Sequence, residues 1–212
     1  MTPLYWLGYS LSKSVATLAF RLKIYGRENL IEDGPAILAS NHASYLDPPF
    51  VGVACRHEIF FLARKTLLER PVIGAILAKL NTVPVDRDRG DLSAVKALLR
   101  LLKSGKRVIM FPEGTRTADG QLQPARAGIG LIIAKSLAPV VPIRIFGTYD
   151  ALPRSGGIRF VPVSIVIGKP LFFTKEDLGT DERAAYQTLS ERVMAAISEL
   201  KIPETSTALL GQ

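Results

Sequence analysis

Leu4, Leu7, Leu11, Val15, Leu18 and Leu22 recur at spacings of three and four, with Ser10, Ser14, Thr17 and Arg21 on another face. This is an amphipathic-helix pattern. After Gly34-Pro35, the apolar run 36–40 predicts a short buried strand ending at Asn41. Asp47 before Pro48 and Pro49 predicts a helix start with Asp47 as N-cap, running towards Arg56. His42 then falls in a strand-to-helix turn. Residues 58–63 read as the next strand, and Leu67 to Leu80 as an apolar helical segment broken near Pro71. Residues 82–85 form another strand, leading into Asp86-Arg87-Asp88-Arg89-Gly90. Val95, Leu98, Leu99 and Leu102 give residues 91–104 a helical stripe that stops at Gly105. Residues 107–111 are a buried strand delivering Pro112-Glu113-Gly114. A helix over 127–136, strands over 140–146 and 160–167, and a last helix from Asp181 follow. That last helix turns Tyr186, Leu189, Val193, Ile197 and Leu200 inward. Strands alternating with helices predict an α/β sheet domain. No internal repeat, low-complexity run or linker interrupts it.

Composition narrows the class. At 212 residues the chain is large enough for one domain with a real core, and 48% of its residues are hydrophobic. No charge-free apolar stretch of about 18 residues is present, so no ordinary transmembrane helix is expected. A net charge of +8 suits an anionic membrane surface, phosphorylated substrates or an acidic partner. The basic residues are scattered, without an arginine-rich tract or aromatic-basic alternation, which argues against nucleic acid. The single cysteine, Cys55, excludes an intrachain disulfide and a cysteine-rich metal site. The N-terminal pattern has two readings. With Tyr5, Trp6, Lys13, Arg21 and Lys23 it suits an anionic membrane interface; alternatively its apolar stripe packs on the domain itself. It does not read as a signal peptide, because the basic residues follow the first apolar run.

The chemistry centres on two clusters at strand ends. One of only two histidines lies in Asn41-His42-Ala43-Ser44-Tyr45-Leu46-Asp47. An imidazole can accept a proton from a hydroxyl, and a carboxylate on its other nitrogen fixes the tautomer. The competing reading is a turn histidine that satisfies backbone groups beside a capping Asp47. Ser44 is expected to hydrogen-bond within the turn; no Gly-x-Ser-x-Gly elbow supports a serine nucleophile. The second cluster is Phe111-Pro112-Glu113-Gly114-Thr115-Arg116. Gly114 permits close backbone approach, and Arg116, with Arg87 after the 82–85 strand, offers the planar fork that matches phosphate. A surface salt bridge is the competing reading for each arginine. No dinucleotide or Walker A pattern is present, and Asp86, Asp88 and Asp91 do not make a calcium loop.

The first cluster resembles the first block of the glycerolipid acyltransferases typified by 1-acyl-glycerol-3-phosphate (lysophosphatidic acid) acyltransferase. Three further blocks follow in that family's order. They are Ala63-Arg64-Lys65-Thr66-Leu67 with Val83-Pro84-Val85-Asp86-Arg87, then Phe111 to Arg116, then Val141-Pro142-Ile143. Gly34-Pro35 and Ile167-Gly168-Lys169-Pro170-Leu171 fit as well, so the resemblance spans residues 24 to 172. It departs at Asn81 and Pro84, where glycine and phenylalanine are common, and at Arg64 and Arg126, where lysine is.

The resemblance implies a single α/β domain with a mixed central sheet flanked by helices. The expected division is a membrane-association segment over 1–24, a catalytic domain over 25–203 and a frayed tail over 204–212. It implies His42 as general base and Asp47 as its orienting acid. Arg64, Lys65, Arg87, Glu113, Gly114, Thr115 and Arg116 would bind substrate. The reaction would pass an acyl chain from acyl-CoA or acyl carrier protein to lysophosphatidic acid, giving phosphatidic acid, with no metal, cofactor or covalent intermediate. Backbone amides of the turn or helix start would stabilise the oxyanion. Partners would be anionic membrane lipids, and the location the cytoplasmic face of the cell membrane, peripheral or monotopic. Another lysophospholipid or lyso-aminolipid acceptor, or a non-catalytic lipid-binding protein, are the alternatives.

Overall fold

The computed structural model describes residues 3–55, 58–69, 71, 74, 81–85, 92–154 and 156–204. Its core is a seven-stranded mixed sheet. The strands are β1 (Lys23–Tyr25), β2 (Ala36–Ser40), β3 (Ile59–Arg64), β4 (Thr82–Val85), β5 (Arg107–Met110), β6 (Val140–Phe146) and β7 (Ser164–Ile167), in the order β1-β7-β6-β2-β5-β3-β4. Only β6 and β7 pair antiparallel; the other neighbours run parallel. β2 is the central strand and is buried throughout. It is apolar at every position except Ser40, as a strand covered on both faces must be.

Alternate residues of the inner strands feed two cores. Ile37, Ala39, Val108 and Met110 join one with the helices α4 (Leu92–Lys103), α5 (Gly128–Ser136) and α7 (Glu182–Glu199). Leu38, Ile109, Val141 and Ile143 join the other with α1 (Pro3–Phe20) and α2 (Asp47–Ala54). Two further α-helices among the described residues are single turns, α3 (Lys65–Leu68) and α6 (Thr148–Ala151). The last helix starts where the sequence predicts, with Asp181 as N-cap accepting from the amides of Arg183 and Ala184.

Two local expectations need correction, and one strand was not expected. The strand expected over 160–167 begins only at Ser164, because Pro162 has no amide to donate and Val163 N–H is bonded to Phe20 O at 2.9 Å. The three-residue edge strand β1 carried no readable alternation. The N-cap of α2 is Leu46, and Asp47 is the first residue of that helix. Most of the apolar segment expected up to Leu80 lies outside the described residues.

α1 is helical as predicted, but its core-facing side is not the leucine stripe. Tyr5, Ala16 and Phe20 are buried, whereas Leu7, Leu11, Val15 and Leu18 face outward, Leu18 at 81% exposure. The small Ala16 permits close approach to α2 on the inner side. There Tyr9 Oη donates to Val53 O at 3.4 Å and Phe20 meets the Phe50 ring edge-on at 5.3 Å. Among the described residues no helix is long and apolar enough to cross a membrane.

Candidate active site

β2 and β5 are parallel neighbours, in register from Ala36–Arg107 to Ala39–Met110. Their carboxyl ends therefore deliver the His42 turn and the Glu113 loop side by side, although the two are 71 residues apart. The outer end of parallel strands is where α/β sheets bind ligands.

Asp47 organises the turn. Its carboxylate is fully buried, and Oδ2 takes three donors: Ala43 N–H and Ser44 N–H at 2.7 Å each, and His42 Nδ1 at 2.8 Å. The side chain thus folds back over the turn instead of capping α2. His42 presents Nδ1 to Asp47, which leaves Nε2 as the nitrogen available to substrate. Phe111 stacks on the imidazole, with centroids 4.0 Å apart and planes 17° from parallel, so the ring is held on two sides. Ser44 Oγ donates to Leu152 O at 2.9 Å and accepts from Leu46 N–H at 3.2 Å. It is a brace, as its sequence context predicts. Asn41 anchors the base of the turn: Oδ1 accepts from Ile145 N–H at 2.8 Å and Nδ2 donates to Ile145 O at 3.1 Å. The amide side chain thereby extends the β2–β6 ladder by one rung.

The second loop clasps the first. Glu113 Oε1 accepts from His42 N–H at 3.1 Å, and Thr117 N–H donates to His42 O at 2.9 Å. Gly114 sits at φ +70°, and a Cβ there would lie 2.9 Å from Arg126 Cδ. Glycine alone meets both conditions cheaply. Arg116 lays its guanidinium 3.6 Å over the Tyr45 ring. Its Nη1 is buried without a hydrogen-bond partner among the described residues. A cation with an unspent buried donor invites an anionic oxygen.

Glu113 is almost wholly buried, and burial pushes its carboxyl up to about 7, helped by the nearby charge of Asp47 and opposed by the His42 amide. The folded protein therefore binds this proton more tightly than the unfolded chain does. Stability is highest below the unfolded value of 4.5 and falls as pH rises from there through about 7. The loss sums to about 3 kcal/mol. Glu113→Gln is expected to flatten this slope, read as a smaller difference in thermal midpoint between pH 5 and pH 8. An unchanged difference would place the titration elsewhere.

Several of the turn amides expected to stabilise an oxyanion are already engaged. The amides of His42, Ala43, Ser44 and Leu46 all have acceptors already. Pro48 and Pro49 contribute none, so the start of α2 is poor in donors. Of the other expected residues, Thr115 is half-buried in the Glu113 loop, and Lys65 is exposed at the start of α3. Arg64 ends β3, on the far side of β5 from His42. Arg87 lies outside the described residues. Asn41, Tyr45, Phe111 and Thr117 are site residues whose roles the sequence did not reveal. A hint lay only in their position within the two blocks. Among the described residues no group of three or more His, Cys, Asp or Glu could hold a metal ion.

The two loops thus bring an oriented histidine and an arginine with an unspent buried nitrogen to the carboxyl end of a mixed α/β sheet. The chain belongs to the acyltransferase family, whose model matches residues 21–146. It is 35% identical over 168 residues to the chloroplastic 1-acyl-sn-glycerol-3-phosphate acyltransferase BAT2 of Brassica napus, covering 77% of this chain and 48% of that protein. It is 33% identical to the 1-acyl-sn-glycerol-3-phosphate acyltransferase of Bacillus subtilis, covering 85% and 90%. The chain thus spans about half the length of the chloroplast relatives it matches and nearly all of the bacterial one. The crystal structure of the 1-acyl-sn-glycerophosphate acyltransferase PlsC from Thermotoga maritima superposes with a TM-score of 0.74 at 25% identity, over 94% of this chain and 81% of that one. The single α/β domain with its mixed sheet is therefore as the resemblance implied.

Proposed function

We propose that this protein acylates the free hydroxyl of 1-acyl-glycerol 3-phosphate from an acyl thioester, releasing phosphatidic acid and a thiol. The observation that carries the reading is the His42–Asp47 pair at 2.8 Å, set beside an arginine with an unspent buried nitrogen. The relatives' named activity supports it.

In this reading His42 Nε2 takes the proton of the acceptor hydroxyl as its oxygen attacks the thioester carbonyl carbon. The C–O bond forms, the C–S bond breaks, and the proton returns to the departing thiolate. The acceptor is itself the nucleophile, so no acyl-enzyme is required. Arg116 Nη1 holds the phosphate and fixes the distance from phosphate to hydroxyl; Lys65, after the carboxyl end of β3, adds charge, and Arg87 is assigned with it from its place in the sequence block alone. Glu113 and Thr117 hold the main chain of His42. Acyl-CoA and acyl carrier protein both suit the basic surface, and no cofactor is called for. In this reading the outward leucines of α1 meet an anionic membrane, and the protein is peripheral or monotopic at the cytoplasmic face. Loss of vesicle binding on replacing Leu7, Leu11 and Leu18 by serine tests that part.

Free thiol release from acyl-CoA and from acyl carrier protein thioester, with and without 1-acyl-glycerol 3-phosphate, tests the activity. Acceptor-dependent release is expected with one donor at least. Release with neither, across a panel of lysolipids and with vesicle binding intact, would make this a lipid-binding protein. Arg116→Ala is expected to raise KM for the phosphate acceptor about tenfold to a hundredfold, with a smaller effect on the donor, since a charge-assisted hydrogen bond contributes about 1.5–3 kcal/mol. Unchanged acceptor dependence would remove Arg116 from the phosphate site.

A further inference from the structure

Ile158 and Phe160 are 60% and 68% exposed on the loop between α6 and β7. Isolated exposed hydrophobics are ordinary, but these two are held in a fixed place. Arg159 N–H donates to Ala151 O at 2.7 Å and Val161 N–H to Arg159 O at 3.1 Å, which sets the backbone that displays them. Phe160 packs on Phe20, the last residue of α1, with ring centroids 5.6 Å apart. Val163 N–H donates to Phe20 O, and Lys23 N–H to Val163 O. The loop is thus fastened to the end of the helix whose outward side displays Trp6, Leu7, Leu11, Val15 and Leu18.

Charge follows both segments. Residues 151–163 contain Arg154 and Arg159, both exposed, and no acidic residue. Residues 1–27 contain Lys13, Arg21, Lys23 and Arg27, again without an acidic residue. Protruding apolar side chains interleaved with cations are what an anionic lipid interface selects. The apolar groups are spread along helix and loop. That suits a fluid surface which conforms to them better than a rigid partner.

We propose that Ile158-Arg159-Phe160 is a second membrane-contacting element. It seats its two apolar side chains among lipid tails and sets Arg154 and Arg159 against anionic headgroups, so that the domain rests on the bilayer through both α1 and this loop. The proposal extends the reading of α1 as membrane-facing. Two points of support would fix the tilt of the domain, which a single helix leaves free to roll.

The test uses the full chain and vesicles of phosphatidylcholine with phosphatidylglycerol. Ile158→Ser and the pair Ile158→Ser with Phe160→Ser are compared with the triple replacement of Leu7, Leu11 and Leu18 by serine. The single variant keeps the Phe160–Phe20 contact and guards against misfolding. The loop pair is expected to lower vesicle affinity about tenfold or more. The single variant should lower it less, and thiol release with a water-soluble short-chain acceptor should be retained. Arg154→Gln with Arg159→Gln should weaken binding only to the anionic vesicles. A polarity-sensitive dye on Ile158→Cys should shift to the blue on vesicles; the only native cysteine, Cys55, is buried. Wild-type binding by the loop variants, with the dye remaining in water, would overturn the proposal; a loss in the α1 variant alone would then leave the helix as the sole contact. Loss in the loop variants alone would sustain the proposal and refute the reading of α1. Weakened binding to acyl carrier protein with unchanged vesicle binding would also overturn it.

Discussion

His42→Ala is expected to cut acceptor-dependent thiol release by about a thousandfold or more while the protein stays folded. Positioned general-base catalysis contributes typically about 10²–10⁴-fold. The structure explains why the loss separates cleanly from folding. The clasp between the two loops uses the His42 main chain, N–H to Glu113 and C=O to Thr117, and alanine keeps both bonds. Only the ring is lost, with its stacking on Phe111. The effect should fall on kcat, with KM for the acceptor changed little, because phosphate binding is assigned to Arg116. Rates within tenfold of wild type, at an unchanged unfolding midpoint, would refute the base assignment and leave His42 as a turn residue.

Asp47→Asn is the second large effect, and it separates two jobs that one oxygen performs. Oδ2 fixes the turn by accepting from Ala43 and Ser44, and it orients His42 through Nδ1. Asparagine offers a neutral oxygen that can still accept the two amides, so the fold is expected to persist. It withdraws the negative charge that would stabilise an imidazolium. The comparable change in a serine-protease triad costs about 10⁴ in kcat, and a loss of about 10³–10⁴ is expected here. Asp47→Ala should lose activity too, and also stability. It strands two buried amides, at about 1–3 kcal/mol each. If Asp47→Asn kept near wild-type kcat, the carboxylate would be a brace only.

The strands β2, β5 and β6 were legible because each is a short apolar run bounded by turn residues, and the His42–Asp47 pair because its partners are five residues apart. What escaped depends on pairing across the sheet. Nothing local tells that Asn41 completes a rung with Ile145, that Phe111 stacks on His42, or that Arg116 finds Tyr45. The start of α2 was placed within one residue, but the carboxylate's use was not: a cap and a folded-back turn anchor look alike in sequence. The same oxygen engages the amides of Ala43 and Ser44, while Glu113 engages that of His42 and Ser44 Oγ that of Leu46. In α1 the leucine pattern marked a helix. Which side meets the core was decided by the small residue opposite that stripe, and the leucines were left outside.

The side-by-side pairing of β2 and β5 also bears on how this chain comes to be active. His42 and Asp47 can meet within one short stretch of chain, early and cheaply. Glu113 and Thr117 reach the His42 main chain, and Phe111 its ring, only after a long loop has closed and the parallel pair has formed, and such distant parallel contacts are slow to make. An oriented but unsupported histidine therefore precedes the finished site during folding. The full set of contacts around His42 thus depends on the non-local β2–β5 pairing, which the short motif alone does not supply.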